Sequence, residues 1–460
     1  MDRDDLAFAG AARQAEMIRR AEVTSTELVE LYLQRIERLD PELNAFRRVM
    51  GERALADARQ ADARRGAGDD RPLLGVPIAV KDTEHVGAEP TGWGTAAHGG
   101  PAARDNDFVG RLRAAGAVIL GKTNLPELAI MGDTEGPAFG VTRNPWDPSR
   151  SPGGSSGGSG AAVAAGLCAA ATGSDGLGSI RIPAACCGIV GLKPQRDRIS
   201  LAPASEHWHG LSVAGFLTRG VLDTALLVDA TAARPPERPL VEAAGVVPGR
   251  LRIAVSFKVP LALPARVDGE VRRALEELAA RLRELGHEVA EHDPDYGRAG
   301  DAVTILYLSG IAEQAGRFAR PERLQRRTRG FGRMGRLIPG SVVQRARRDM
   351  EGHTARLGEL FRDHDVLLTP VMTRPPVSAA HWEGLGASRT LLGMGSVYPF
   401  TGIWNLTGQP AISVPAGLDG EGLPIGAQLV GPTDGEPRLI SLAAQLEREL
   451  GWTERRPPVV

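Results

Sequence analysis

A chain of 460 residues, 42% of them hydrophobic and 24% charged, has the composition of a globular protein and is long for one core, since cores stop growing at about 250–300 residues. Its 55 Lys and Arg against 56 Asp and Glu leave a formal net charge of −1, which excludes any global pull toward nucleic acid or an anionic membrane. Three cysteines (Cys168, Cys186 and Cys187) form neither a disulfide framework nor a zinc-type C-x-x-C pair, no uncharged apolar run reaches the roughly 18 residues of a membrane span, and MDRDDLAFAG has no apolar signal core, so a reduced, cytoplasmic protein is expected.

The first 70 residues read as a helical segment. Thr24 to Glu27 fits a T-x-x-E capping box, and Leu28, Leu31, Tyr32, Ile36 and Leu39 then share one helical face. Arg65-Gly66-Ala67-Gly68-Asp69-Asp70 breaks that pattern. From residue 71 to 460 the rhythm is that of an α/β core. Val76 to Val80 has strand length and leads into Lys81-Asp82; Asp107 to Ala115 reads as a helix, and Ala117 to Leu120 as a buried strand. Ser151 to Gly160 is rich in glycine and serine, and Ala161 to Ala171 follows as a helix of small residues. Strands are expected at Leu251 to Val255, Val366 to Leu368, Ala411 to Val414 and Ile425 to Val430, with helices at Val267 to Leu285 and Arg438 to Leu450. The architecture implied is a large central sheet with helices on its faces. A peripheral helical lobe is expected at about 300–360. Its arginines (Arg317, Arg320, Arg323, Arg326 and Arg327 among them) are taken as solvated helix faces, as charge runs usually are, and the sharper reading, a site for an anionic partner or substrate, is not adopted.

Three segments carry chemistry. Gly153-Gly154-Ser155-Ser156-Gly157-Gly158-Ser159-Gly160 sits between strand-like and helix-like stretches with no polar spacer, which suits close backbone approach better than a flexible linker. It lacks the Gly-Lys-Ser/Thr ending of a phosphate loop. In Gly173-Ser174-Asp175-Gly176-Leu177-Gly178-Ser179-Ile180-Arg181, a serine follows small residues in a tight turn, where backbone N–H groups can converge on an oxyanion. Gly75-Val76-Pro77-Ile78-Ala79-Val80-Lys81-Asp82 ends a buried strand on a lysine, a costly placement unless the amine is neutral or paired.

These segments, with Gly121-Lys122-Thr123-Asn124-Leu125-Pro126-Glu127, Gly191-Leu192-Lys193-Pro194, Asn405-Leu406-Thr407-Gly408-Gln409-Pro410 and Gly422-Leu423-Pro424-Ile425-Gly426, resemble the amidase signature family from about Leu74 onward. The resemblance implies that family's fold, a large mixed sheet flanked by helices on both faces. It also implies Ser179 as nucleophile, Ser155 as a bridging serine entered by a cis peptide bond, and Lys81 as base. Gly176, Leu177, Gly178 and Ser179 are the implied oxyanion hole. Ser156 is expected to hold Lys81, and Asp175 and Arg181 to brace the turn as a pair. Leu177 is a departure, since the family usually has glycine there, and it bears on the geometry of the hole.

The activity implied is hydrolysis of a small-molecule amide or related bond (carbamate or urethane, aryl acylamide, ester) through an acyl-enzyme. No cofactor, metal, nucleic acid or membrane partner is implied, and the protein is expected as monomer or homodimer. The alternatives are the amidase subunit of a glutamine-dependent amidotransferase, a small-molecule binding protein with a degenerate site, and a nucleotide binder using the glycine tract. His207 and His209 flank Trp208 and could mark a metal or a pocket wall, although a structural role is the simpler reading because no carboxylate sits at ligand spacing. Trp382, Phe400 and Trp404 are balanced between a pocket lining and the core.

Overall fold

The computed structural model describes residues 2–204, 206–260 and 265–459. In chain order its strands are β1 (Phe46–Val49), β2 (Pro77–Lys81), β3 (Val118–Thr123), β4 (Glu135–Gly136), β5 (Gly140–Val141), β6 (Ala170–Asp175) and β7 (Val190–Lys193). They continue with β8 (Val213–Thr218), β9 (Arg252–Val255), β10 (Glu288–Glu291), β11 (Val366–Pro370), β12 (Ala411–Leu418) and β13 (Pro424–Val430). β4 and β5 form a small hairpin, and the other eleven make one sheet ordered β1-β3-β2-β6-β8-β7-β12-β13-β11-β9-β10. The sheet is mixed: β3, β2 and β6 run parallel, as do β11, β9 and β10, while β8, β7, β12 and β13 pair antiparallel between them.

Burial follows from this layering. All five residues of β2 and all six of β3 are buried, so helices cover both faces of the sheet there. The N-terminal segment is not wholly helical. Its long helix Ser25–Leu43 starts on the Thr24–Glu27 capping box, but Phe46–Val49 then leaves as β1 and adds an antiparallel edge to β3. The segment from Ala299 to Asp363 is a run of helices.

The largest difference from the sequence reading concerns the glycine tract. The helix of small residues begins inside the tract, at Gly157, and ends at Ala164, and Ala170 and Ala171 open strand β6 rather than close the helix. Packing explains the early start. A Cβ on Gly158 would lie 2.5 Å from the Ala45 carbonyl oxygen and from Asn124 N, so this helical turn needs bare backbone to seat against the loop after β3.

Candidate active site

β2 delivers Lys81 to the interior. Its Nζ lies 2.7 Å from Ser155 Oγ and 2.9 Å from Ser174 Oγ, and its backbone N–H donates to Thr172 Oγ1 at 2.9 Å. No carboxylate is within ion-pair distance of Nζ among the described residues. Burial therefore dominates and pushes the amine down to about 7, against the smaller opposing pull of Glu84 and Asp175.

The glycine tract presents Ser155. The Gly154–Ser155 peptide is cis, as the resemblance implied. A Cβ on Gly154 would fall 2.6 Å from both N and O of Asp133, so this strap is pressed onto that backbone. Ser156 N donates to Ser179 O at 3.2 Å, which ties the strap to the nucleophile turn. Ser156 itself does not hold Lys81. Its hydroxyl faces Ser174 O at 3.4 Å, because the helix that it opens directs it beneath β6. Ser174 takes the expected role. Sequence reading missed it, although Thr172 and Ser174 stand two apart on a strand beside the lysine strand and so share a face.

The turn after β6 is built on Asp175. Its carboxylate accepts from Gly178 N at 2.6 Å, Ile180 N at 3.2 Å, Arg181 Nη2 at 2.9 Å, Arg181 Nε at 3.0 Å and Asn405 Nδ2 at 2.9 Å. Arg181, fully buried, also donates to Gln428 Oε1 at 2.6 Å, Asn405 Oδ1 at 2.7 Å and Thr401 O at 3.0 Å. Burial opposes the charge on Asp175, yet Arg181 and these hydrogen bonds hold its carboxyl well below the usual range. Asp175 and Arg181 do pair. The expectation for Gly178 needs correction: its N–H is committed to Asp175 and is not free for an oxyanion. The N–H groups of Gly176, Leu177 and Ser179 have no acceptor among the described residues.

Leu177 fits the turn without distortion, since it lies outside the left-handed region that would require glycine. Its carbonyl accepts from Thr401 Oγ1 at 2.6 Å, and its side chain rests against the backbone of Gly402.

Ser179 opens into two cavities. The first, about 940 Å³, is lined by Ser155, Ser174, Gly176, Trp93, His207 and others. The second, about 600 Å³, is lined largely by apolar side chains including Leu177, Met131 and Met394. Ser179, Ala129 and Trp208 border both. His207 stacks near Trp93 and Trp208, with Nδ1 2.8 Å from Ser212 Oγ. Burial, then Arg317 and Lys81, push its imidazole down to about 4 and keep it neutral. It is the pocket wall that the sequence reading ranked second. His209 faces Ser309 and Glu313 instead. Trp382, Phe400 and Trp404 are buried in the core and line neither cavity. No grouping of His, Cys, Asp and Glu among the described residues could hold a metal, and no helix among them is long and apolar enough to cross a membrane.

The remaining motifs brace this site. Lys122 pairs with Asp82 at 2.7 Å in the interior, and Thr123 Oγ1 meets Ser159 Oγ at 2.7 Å, fastening β3 to the helix behind the strap.

The mixed sheet thus brings together a serine turn, a serine strap and a buried lysine. The sequence matches the amidase family over residues 27–440, and the chain belongs to it. It is 50% identical over 461 residues, covering the whole of both chains, to AmiB2 of Mycobacterium tuberculosis, which carries an amidase name. It is 34% identical to a 6-aminohexanoate-cyclic-dimer hydrolase of a Pseudomonas strain, across 98% of this chain and 96% of that one. A solved structure of 6-aminohexanoate cyclic dimer hydrolase with its substrate superposes at a TM-score of 0.91, with 32% identity, 98% of this chain covered and 99% of the other. A bacterial aryl acylamidase shares the fold, at a TM-score of 0.86 and 24% identity over 97% of both chains. The protein is thus an amidase, a hydrolase of carbon–nitrogen bonds.

Proposed function

We propose that this amidase cleaves small-molecule amides by acyl transfer to Ser179, with Ser155 and Lys81 as the proton relay. The observation that supports this most directly is the pairing of a buried, carboxylate-free Lys81 with Ser155 Oγ at 2.7 Å, in a cavity that also exposes Ser179. Neutral Lys81 accepts the Ser155 proton as Ser155 accepts that of Ser179. The Ser179 Oγ–carbon bond forms, and the carbonyl electron pair moves onto oxygen, facing the N–H groups of Gly176, Leu177 and Ser179. When the tetrahedral adduct collapses, the C–N bond breaks, Ser155 protonates the leaving amine, and Lys81 returns its proton to Ser155. Water, deprotonated through the same relay, then releases the acid and restores Ser179. Carbamates and esters meet the same requirements, with the leaving group protonated in the same way.

The test is labelling with a fluorophosphonate followed by peptide mass mapping. A stoichiometric adduct on Ser179 that is lost in Lys81→Ala supports the relay. A folded protein with no adduct, or with equal labelling in Lys81→Ala, removes it.

A further inference from the structure

The relay is one-sided. Ser155 and Ser174 line the first cavity and not the second, whereas Leu177 lines the second and not the first. In the acyl-transfer reading, on which this inference rests, the departing amine must take its proton from Ser155 as the C–N bond breaks. The amine part of the substrate therefore occupies the first cavity, and the acyl part the second.

The two spaces differ in charge. The second is walled by Leu177, Ile130, Met131, Val303, Met394 and Tyr398, and its charged pair Arg298–Asp301 neutralises itself at 2.8 Å. The mouth of the first carries Arg317, Arg320 and Arg323. None of these three has a carboxylate within ion-pair distance among the described residues, whereas Arg327 and Arg347 from the same run pair with Glu135 and Glu206. Among the described residues the one acidic side chain lining this cavity is Glu84, which is buried and already accepts from Thr83 Oγ1 and Asn106 Nδ2. Three unpaired guanidinium groups above a cavity with no free acid form a counter-charge waiting for an anion.

The geometry points to a substrate whose acyl part is apolar and whose amine part bears a carboxylate or similar anion, held by Arg317, Arg320 and Arg323. The arginines expected to be merely solvated are in part specificity determinants. They act through charge at the cavity mouth, so ionic strength weakens them.

Two chromogenic amides with the same hexanoyl group test this: the anilide of 4-nitroaniline, whose leaving amine is neutral, and that of 5-amino-2-nitrobenzoate, whose leaving amine is anionic. The expected result is a kcat/KM roughly tenfold or more in favour of the anionic anilide, carried by KM. That ratio should fall toward one in the Arg317→Ala/Arg320→Ala/Arg323→Ala protein, and at high salt in the unsubstituted one. Parity in the unsubstituted protein, or a preference that survives the triple substitution, overturns the inference. Failure to cleave either anilide counts against the acyl-transfer reading instead. The inference is then decided by binding of the two free amines to Ser179→Ala protein. Tighter binding of 5-amino-2-nitrobenzoate, lost in the triple variant, upholds it, and equal binding of the two overturns it.

Discussion

A lysine amine taken out of water needs either a counter-charge or the loss of its proton, and Lys81 is surrounded by hydroxyls rather than carboxylates. With its amine pushed down to about 7, the base form fills as pH rises through that value. kcat/KM for an amide should therefore climb about tenfold per unit on the acid side of 7 and level off above it, and a profile flat from 5 to 9 would argue against Lys81 as the base. The same shift has a stability signature. Unfolded Lys81 keeps its proton up to about 10.4, so between about 7 and 10 the unfolded chain binds more protons and this group makes stability rise with pH. Lys81→Met removes that rise. Its melting temperature relative to the parent should be most favourable near and below pH 7 and should lose ground toward pH 10, as paired thermal melts would show. Leu177 yields a third expectation. Leu177→Trp narrows the second cavity beside Ser179, so it should depress kcat/KM for long acyl chains by roughly tenfold more than for acetyl amides, and an unchanged chain-length preference would place the acyl group elsewhere. At this scale the strand-end lysine and the glycine-flanked serines were legible in the sequence. Ser174 was not, because a serine inside a strand carries no signal until the neighbouring strand is known.

At the level of the element, the turn from Asp175 to Arg181 depends on one buried ion pair. Asp175 collects five donors, and removing its charge leaves Arg181 uncompensated in a dry interior, a change of about 3–5 kcal/mol. Asp175→Asn should lower the melting temperature by several degrees and release the Gly178 amide, with loss of fluorophosphonate labelling at Ser179; labelling at the parent rate would mean that the turn holds its shape without the pair. Arg181→Lys should fare little better, since an ammonium cannot serve Asp175, Asn405 and Gln428 from one planar fork. The pairing of Asp175 with Arg181 was expected from the family resemblance, and the structure shows it. The start of the helix at Gly157 was not expected, because glycine propensity argues against a helix and only the close approach to Ala45 and Asn124 overrides it.

Over the whole molecule, alternation of strands and helices was enough to indicate an α/β fold, and strands such as β2, β3, β11 and β13 fell close to where their apolar runs placed them. The strand order was beyond the sequence, because β7 joins β12 across more than two hundred intervening residues and no local pattern records such a partner. Edge strand β1 was overlooked for a related reason: only Phe46 of its four residues is buried, so it has no apolar run. The distant pairing has a consequence for how the enzyme comes into being. Arg181 reaches Gln428, 247 positions later, and Asn405, 224 positions later, so the brace of the nucleophile turn is the last part of the site to be synthesised. A nascent chain halted near residue 400 should already display Ser179, Ser155 and Lys81 yet remain inert toward a fluorophosphonate. The ribosome, by finishing the final strands, would act as the switch that arms the nucleophile only once the sheet behind it can close.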